Sequence, residues 1–96
     1  MTVQRILLIN DDPRSREILT TSLQGQGYNL LATASPEEGL ERIGMEHPDL
    51  VVCNLRSSSW STAEFSTRMH NRYCDLPQLL IVPRTAEDEA LAAIKD

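Results

Sequence analysis

Positive charge is scarce in this chain. Nine Lys and Arg stand against fourteen Asp and Glu, for a net charge of −5. Non-specific nucleic-acid binding draws most of its affinity from cations set against phosphates, so this balance argues against it. Long apolar runs are missing too. No stretch approaches the roughly 20 apolar residues that span a bilayer, and residues 1–10 hold too few apolar residues ahead of the acidic pair for a secretory signal. The expectation is a cytoplasmic chain with no membrane partner. There are only two cysteines. Cys53 falls in an expected buried strand and Cys74 after an expected helix, which favours two reduced thiols over a bridge. His47 and His70 are isolated, so no zinc spacing exists; both are expected to face solvent. A Gly-rich phosphate loop, a Gly-x-Ser-x-Gly elbow and a metalloprotease His pair are all absent, and the chemistries they serve go with them.

What is present is the material of one modest core: 96 residues, 41% hydrophobic and 24% charged, read as a single domain over 1–96. Arg5 to Ile9 is a continuous apolar run, as a strand covered on both faces should be. Asp12 is placed to cap a helix with Pro13 at its first position. Ile18, Leu19 and Leu23 form its stripe, and Gly25 and Gly27 end it. A second strand covers Asn29 to Ala32. Ser35-Pro36-Glu37-Glu38 has capping-box spacing and opens a helix with Leu40 and Ile43 inward and Gly44 at its close. His47-Pro48-Asp49 turns into a third strand, Leu50 to Asn54. Leu55 to Trp60, with three consecutive serines, reads as a loop. Ser61 to Glu64 is a second capping box, opening a helix with Phe65 and Met69 on its inner face. A fourth strand is expected over Leu79 to Val82, and Thr85-Ala86-Glu87-Asp88 starts a last helix carrying Leu91 and Ile94. Four strands alternating with four helices give (βα)4 and a mostly parallel α/β sheet.

Two of these strands stop on an asparagine. Ile6-Leu7-Leu8-Ile9 runs into Asn10-Asp11-Asp12, and Leu50-Val51-Val52-Cys53 into Asn54-Leu55-Arg56. In parallel α/β sheets the ends of neighbouring strands converge on one crevice, where ligands and chemistry gather. With Leu76-Pro77-Gln78-Leu79-Leu80-Ile81-Val82 added, these segments make the chain resemble the CheY-like receiver domain of response regulators, along essentially its whole length. The resemblance implies a flavodoxin-like open parallel sheet of order 2-1-3-4, with the fifth strand and helix missing. It further implies two acids after the first strand and one after the third that hold Mg2+, the third-strand aspartate being the phosphoacceptor. A hydroxyl residue ends the fourth strand and a lysine the fifth.

Carried over position by position, the first acid is Asn10 and the second Asp11. The phosphoacceptor position holds Asn54, and the switch-hydroxyl position holds Val82 with Thr85 close behind. The lysine has no counterpart. Phosphoryl transfer to a side chain needs a nucleophilic oxygen and cations that hold the incoming charge. An amide oxygen is far less nucleophilic than a carboxylate, so the Asn54 substitution removes aspartyl phosphorylation. Mg2+ prefers hard oxygen ligands, usually with one or two carboxylates. With Asp11 the firm acid and Asp12 capping the helix, Asp11 and Asn54 leave weak Mg2+ binding at best, and no other cofactor is expected. Arg56 is spaced to bring its guanidinium near Asp11 as a substitute cation.

The function expected is therefore that of a non-enzymatic pseudo-receiver in two-component phosphorelay signalling. It would bind a signalling protein or sensor kinase, or self-associate through an open sheet edge, because an unpaired apolar strand invites pairing. The alternatives are an Mg2+-dependent phosphoacceptor that uses another acid, and a truncated fragment of marginal stability without a function of its own. Trp60 is expected to pack over its own loop, with a docking anchor as the other reading.

Overall fold

The computed structural model describes residues 3–56 and 60–81. Their elements are β1 (Arg5–Asn10), α1 (Pro13–Gly25), β2 (Asn29–Thr33), α2 (Pro36–Glu46), β3 (Leu50–Asn54), α3 (Thr62–Arg72) and β4 (Gln78–Leu80). The strands form one parallel sheet in the order β2-β1-β3-β4, the expected 2-1-3-4. The β1–β3 register pairs Asn10 with Asn54, so the two strand-end asparagines lie side by side.

Alternation along each strand explains why the runs are apolar without a break. Leu7, Ile9, Val51 and Cys53 point to one face, where Leu40 and Ile43 of α2 and Phe65 and Met69 of α3 complete the larger core. Ile6, Leu8 and Val52 point to the other, against Leu19 and Leu23 of α1. Both faces are covered, so no position alternates to polar. The approach of α2 to β1 is close enough to require glycine. A Cβ on Gly39 would lie 2.6 Å from Ile9 Cδ1 and 2.8 Å from Ile9 Cγ1.

Both serine caps form as expected, but the Ser35 N–H goes to Thr33 Oγ1 at 3.3 Å and not to Glu38, whose carboxylate accepts the Thr33 hydroxyl. Ser35 Oγ accepts the Glu38 N–H at 3.2 Å and Ser61 Oγ accepts that of Glu64 at 3.0 Å, each satisfying a donor that the helix leaves open. Several details differ from expectation. Ile18 is 59% exposed, because the Leu19–Leu23 pair, one turn apart, centres the contact and turns residue 18 outward. Gly44 does not close α2, which continues to Glu46 and ends at His47 in the left-handed region, φ 49°. Gly44 serves a close approach instead, since a Cβ there would sit 3.0 Å from the Tyr73 hydroxyl. β2 extends one residue further, to Thr33. β4 begins at Gln78 and ends at Leu80, with the Ile81 N–H still bonded to the Cys53 carbonyl at 2.8 Å. Val82, Thr85 and the expected last helix with Leu91 and Ile94 lie outside the described residues.

The turn before β3 is fastened to the start of β1. Asp49 Oδ2 accepts the N–H groups of Gln4 and Arg5, both at 3.0 Å. These bonds, first that from Arg5 and then that from Gln4, hold its carboxyl below the ordinary 3.8, because they favour the charged form. Trp60 packs on α3, its ring 6.4 Å from that of Phe65 and under the Arg68 guanidinium at 4.1 Å. His47 and His70 are exposed. No described helix is long and apolar enough to cross a membrane.

Candidate functional site at the carboxyl ends of β1 and β3

The site is built by two strands that end level with each other and by the first turn of α1. Asn10 is fully buried. Its Oδ1 accepts the Asp12 N–H at 3.0 Å, its Nδ2 donates to Ser15 Oγ at 3.0 Å, and its carbonyl accepts from Arg16 Nη1 at 2.9 Å. Asn54, 4% exposed, directs its Nδ2 to the same Ser15 hydroxyl at 3.4 Å. Ser15 Oγ therefore joins the two amides. Asn54 Oδ1 is buried with no hydrogen-bond partner among the described residues, an arrangement that costs free energy if nothing fills it.

The acids are arranged differently from expectation. Asp12 occupies the N-cap position of α1, but its side chain makes no capping bond. Asn10 Oδ1 has taken the Asp12 N–H, and the Asp12 carboxylate faces outward, 3.9 Å from Arg56 Nη1. Asp11 donates its own N–H to the Asn54 carbonyl at 3.3 Å. Its carboxylate accepts the backbone N–H of Arg56, at 2.8 Å to Oδ1 and 3.0 Å to Oδ2. Arg56 thus meets Asp11 through its main chain and Asp12 through its guanidinium, where the sequence reading paired the guanidinium with Asp11. Spacing could bring residue 56 to the pocket, but it could not tell main chain from side chain. The residues after Arg56, 57–59, lie outside the described ones.

Sequence reasoning missed three contributors. Ser15 is the third residue of α1, and a side chain in the first turn of a helix that leaves a strand end can reach back to that end. Arg16 follows it and binds the Asn10 carbonyl. Thr62, the first residue of α3, is buried and accepts the Leu55 N–H through its Oγ1 at 3.2 Å, which fixes the path of the chain leaving β3.

Electrostatics beside the amides favour neutral groups. The Cys53 thiol is pushed up to about 12, first by burial and then by the negative Asp11. Cys53 is buried and free, and Cys74 is exposed and free, as expected of reduced thiols. No group of three or more His, Cys, Asp or Glu among the described residues is placed to share a metal ion.

A parallel sheet of order 2-1-3-4, with acidic and amide side chains gathered where β1 and β3 end, defines the class of CheY-like receivers within the flavodoxin-like folds. The comparisons place the chain within that class. The family model for the response regulator receiver domain matches residues 6–96, and the chain belongs to that family. It is similar to the response regulator MprA of Mycolicibacterium vanbaalenii, with 30% identity over 90 residues, covering 94% of this chain and 39% of the relative. The chain thus spans about two fifths of the length of the curated relatives it matches. Among solved structures it is similar to the N-terminal domain of a response regulator receiver protein from Methanoculleus marisnigri (TM-score 0.77, 26% identity, 96% of this chain and 78% of that one). It is also similar to a chain in the complex of histidine kinase ThkA with response regulator TrrA (TM-score 0.75, 25% identity, 91% and 78%).

Proposed function

We propose that this receiver domain signals without phosphorylation, as a binding module in a two-component pathway. The observation that carries the reading is the side chain at the end of β3. Position 54 presents a buried amide, hydrogen-bonded to the Ser15 hydroxyl beside a second amide at position 10. An amide oxygen is a poor nucleophile toward phosphorus, and no stable product analogous to an acyl phosphate follows from its attack. Using another acid instead is disfavoured, because Asp11 is held by the Arg56 N–H and Asp12 faces the Arg56 guanidinium. Neither acid stands at the end of β3.

The partner proposed is a protein, and a sensor histidine kinase is the first candidate, since a similar chain occurs in a complex with one. Self-association along β4 is the second candidate, supported by Leu79 and Leu80, 55% and 38% exposed on that strand. Amide NMR spectra of the 15N-labelled chain test the phosphorylation-independent reading. Addition of acetyl phosphate with Mg2+ is expected to leave the spectrum unchanged, including the amides of residues 10–12 and 54–56. A new set of peaks that grows with donor and fades as the donor is exhausted would overturn it.

A further inference from the structure

We infer that Arg56 is a built-in counter-ion that ties the two strand-end loops together and keeps a divalent cation out of the pocket. This rests on the reading above, because a pocket that carries no phosphoryl group has no need of the ion. The donors this chain presents do not fit the Mg2+ that a receiver pocket would hold. A hard divalent ion takes oxygen ligands, with carboxylates supplying the charge. Here both oxygens of Asp11 accept the Arg56 N–H, and the Asp12 carboxylate faces the Arg56 guanidinium. Asn10 Oδ1 accepts the Asp12 N–H. Asn54 Oδ1 has no hydrogen-bond partner among the described residues, but it is a single neutral donor.

The charge balance points the same way. Asp11 and Asp12 bring two negative charges, and Arg56 and Arg16 bring two positive ones to the same loops. Among the described residues, these four side chains therefore offer an incoming cation no net negative charge. Arg56 also supplies the mechanical part of an ion's role. As one residue of the β3–α3 loop, it touches two successive residues of the β1–α1 loop, the first by its main chain and the second by its side chain. The geometry of the strand ends then does not depend on metal.

Mn2+, a paramagnetic ion of similar ligand preference, is the probe, added to the whole 15N-labelled chain without any phosphoryl donor. In the wild type, the amides of residues 10–12 and 54–56 should broaden no more than those of exposed acids elsewhere, such as Glu41. Arg56→Gln keeps the backbone N–H and removes the charge. It should broaden the site amides selectively, at Mn2+ concentrations lower by about fivefold, the scale of one partly screened charge. Arg56→Lys keeps the charge and should behave as the wild type. Arg56→Ala gives a second neutral side chain, and it is read in the same way if the Gln variant fails a cooperative melt. Equal broadening in wild type and neutral variant, whether present or absent in both, would overturn the inference. With no donor in the experiment, that outcome leaves the phosphorylation-independent reading standing.

Discussion

A change of one atom per side chain separates Asn10 and Asn54 from aspartate, and much of the site's chemistry follows from it. The amide nitrogens donate to a single serine hydroxyl, where carboxylates could only have accepted. Removing two potential charges also changes the surroundings of Cys53, whose thiol is already raised to about 12 by burial and by Asp11. A thiol with a raised folded value is neutral and stabilising below the ordinary 9.0. That contribution is lost as the pH climbs toward the folded value. At a pH of about 8 the thiolate needed for attack is therefore withheld at Cys53, which is also buried, whereas Cys74 is exposed to reagent. Treatment of the native chain with Ellman's reagent is expected to titrate one thiol quickly and the second only after denaturant is added. Two fast thiols in the native state would show that Cys53 is not buried as described.

At the scale of elements, helices placed by short-range signals were legible, and contacts made across the sheet were not. Ser35 and Ser61 announce their helices because a cap and the N–H it accepts are local in sequence. The apolar runs of β1 and β3 are likewise legible, since double coverage leaves no polar alternation. Gly44 misled because glycine at a helix end and glycine under a neighbouring side chain look alike in a sequence, and Tyr73 is far along the chain. Ile18 misled because a stripe of three candidates does not say which pair sits at its centre. Gly39 gives the sharpest prediction of this kind. Alanine there gains up to about 1 kcal/mol of helix propensity, but its methyl would overlap the fully buried Ile9, and overpacking typically costs about 1–3 kcal/mol. Gly39→Ala should therefore lower the denaturant midpoint by the equivalent of roughly 1 kcal/mol. Gly25→Ala, with nothing within 4 Å of its added methyl, should not lower it. If the two variants shift in the same direction, the close packing of α2 on β1 is wrong.

For the whole molecule, the sheet order came from the resemblance to receivers and not from the residues alone, because right-handed crossovers leave more than one parallel order open. The register placed Asn10 beside Asn54 and so turned two sequence motifs into one site. Ser15 and Arg16 joined that site only once α1 had a position. The chain is a response regulator receiver domain whose strand-end pocket holds amides where the family resemblance calls for acids. The central claim, that this pocket keeps the receiver shape without accepting a phosphoryl group, is tested most directly by intact-mass measurement. The wild-type chain and an Asn10→Asp/Asn54→Asp variant would be incubated side by side with acetyl phosphate and Mg2+. The account predicts an unchanged mass for the wild type under conditions of donor and time that put a phosphate increment on any functional receiver included as a control. A hydroxylamine-labile phosphate adduct on the wild-type chain would contradict it.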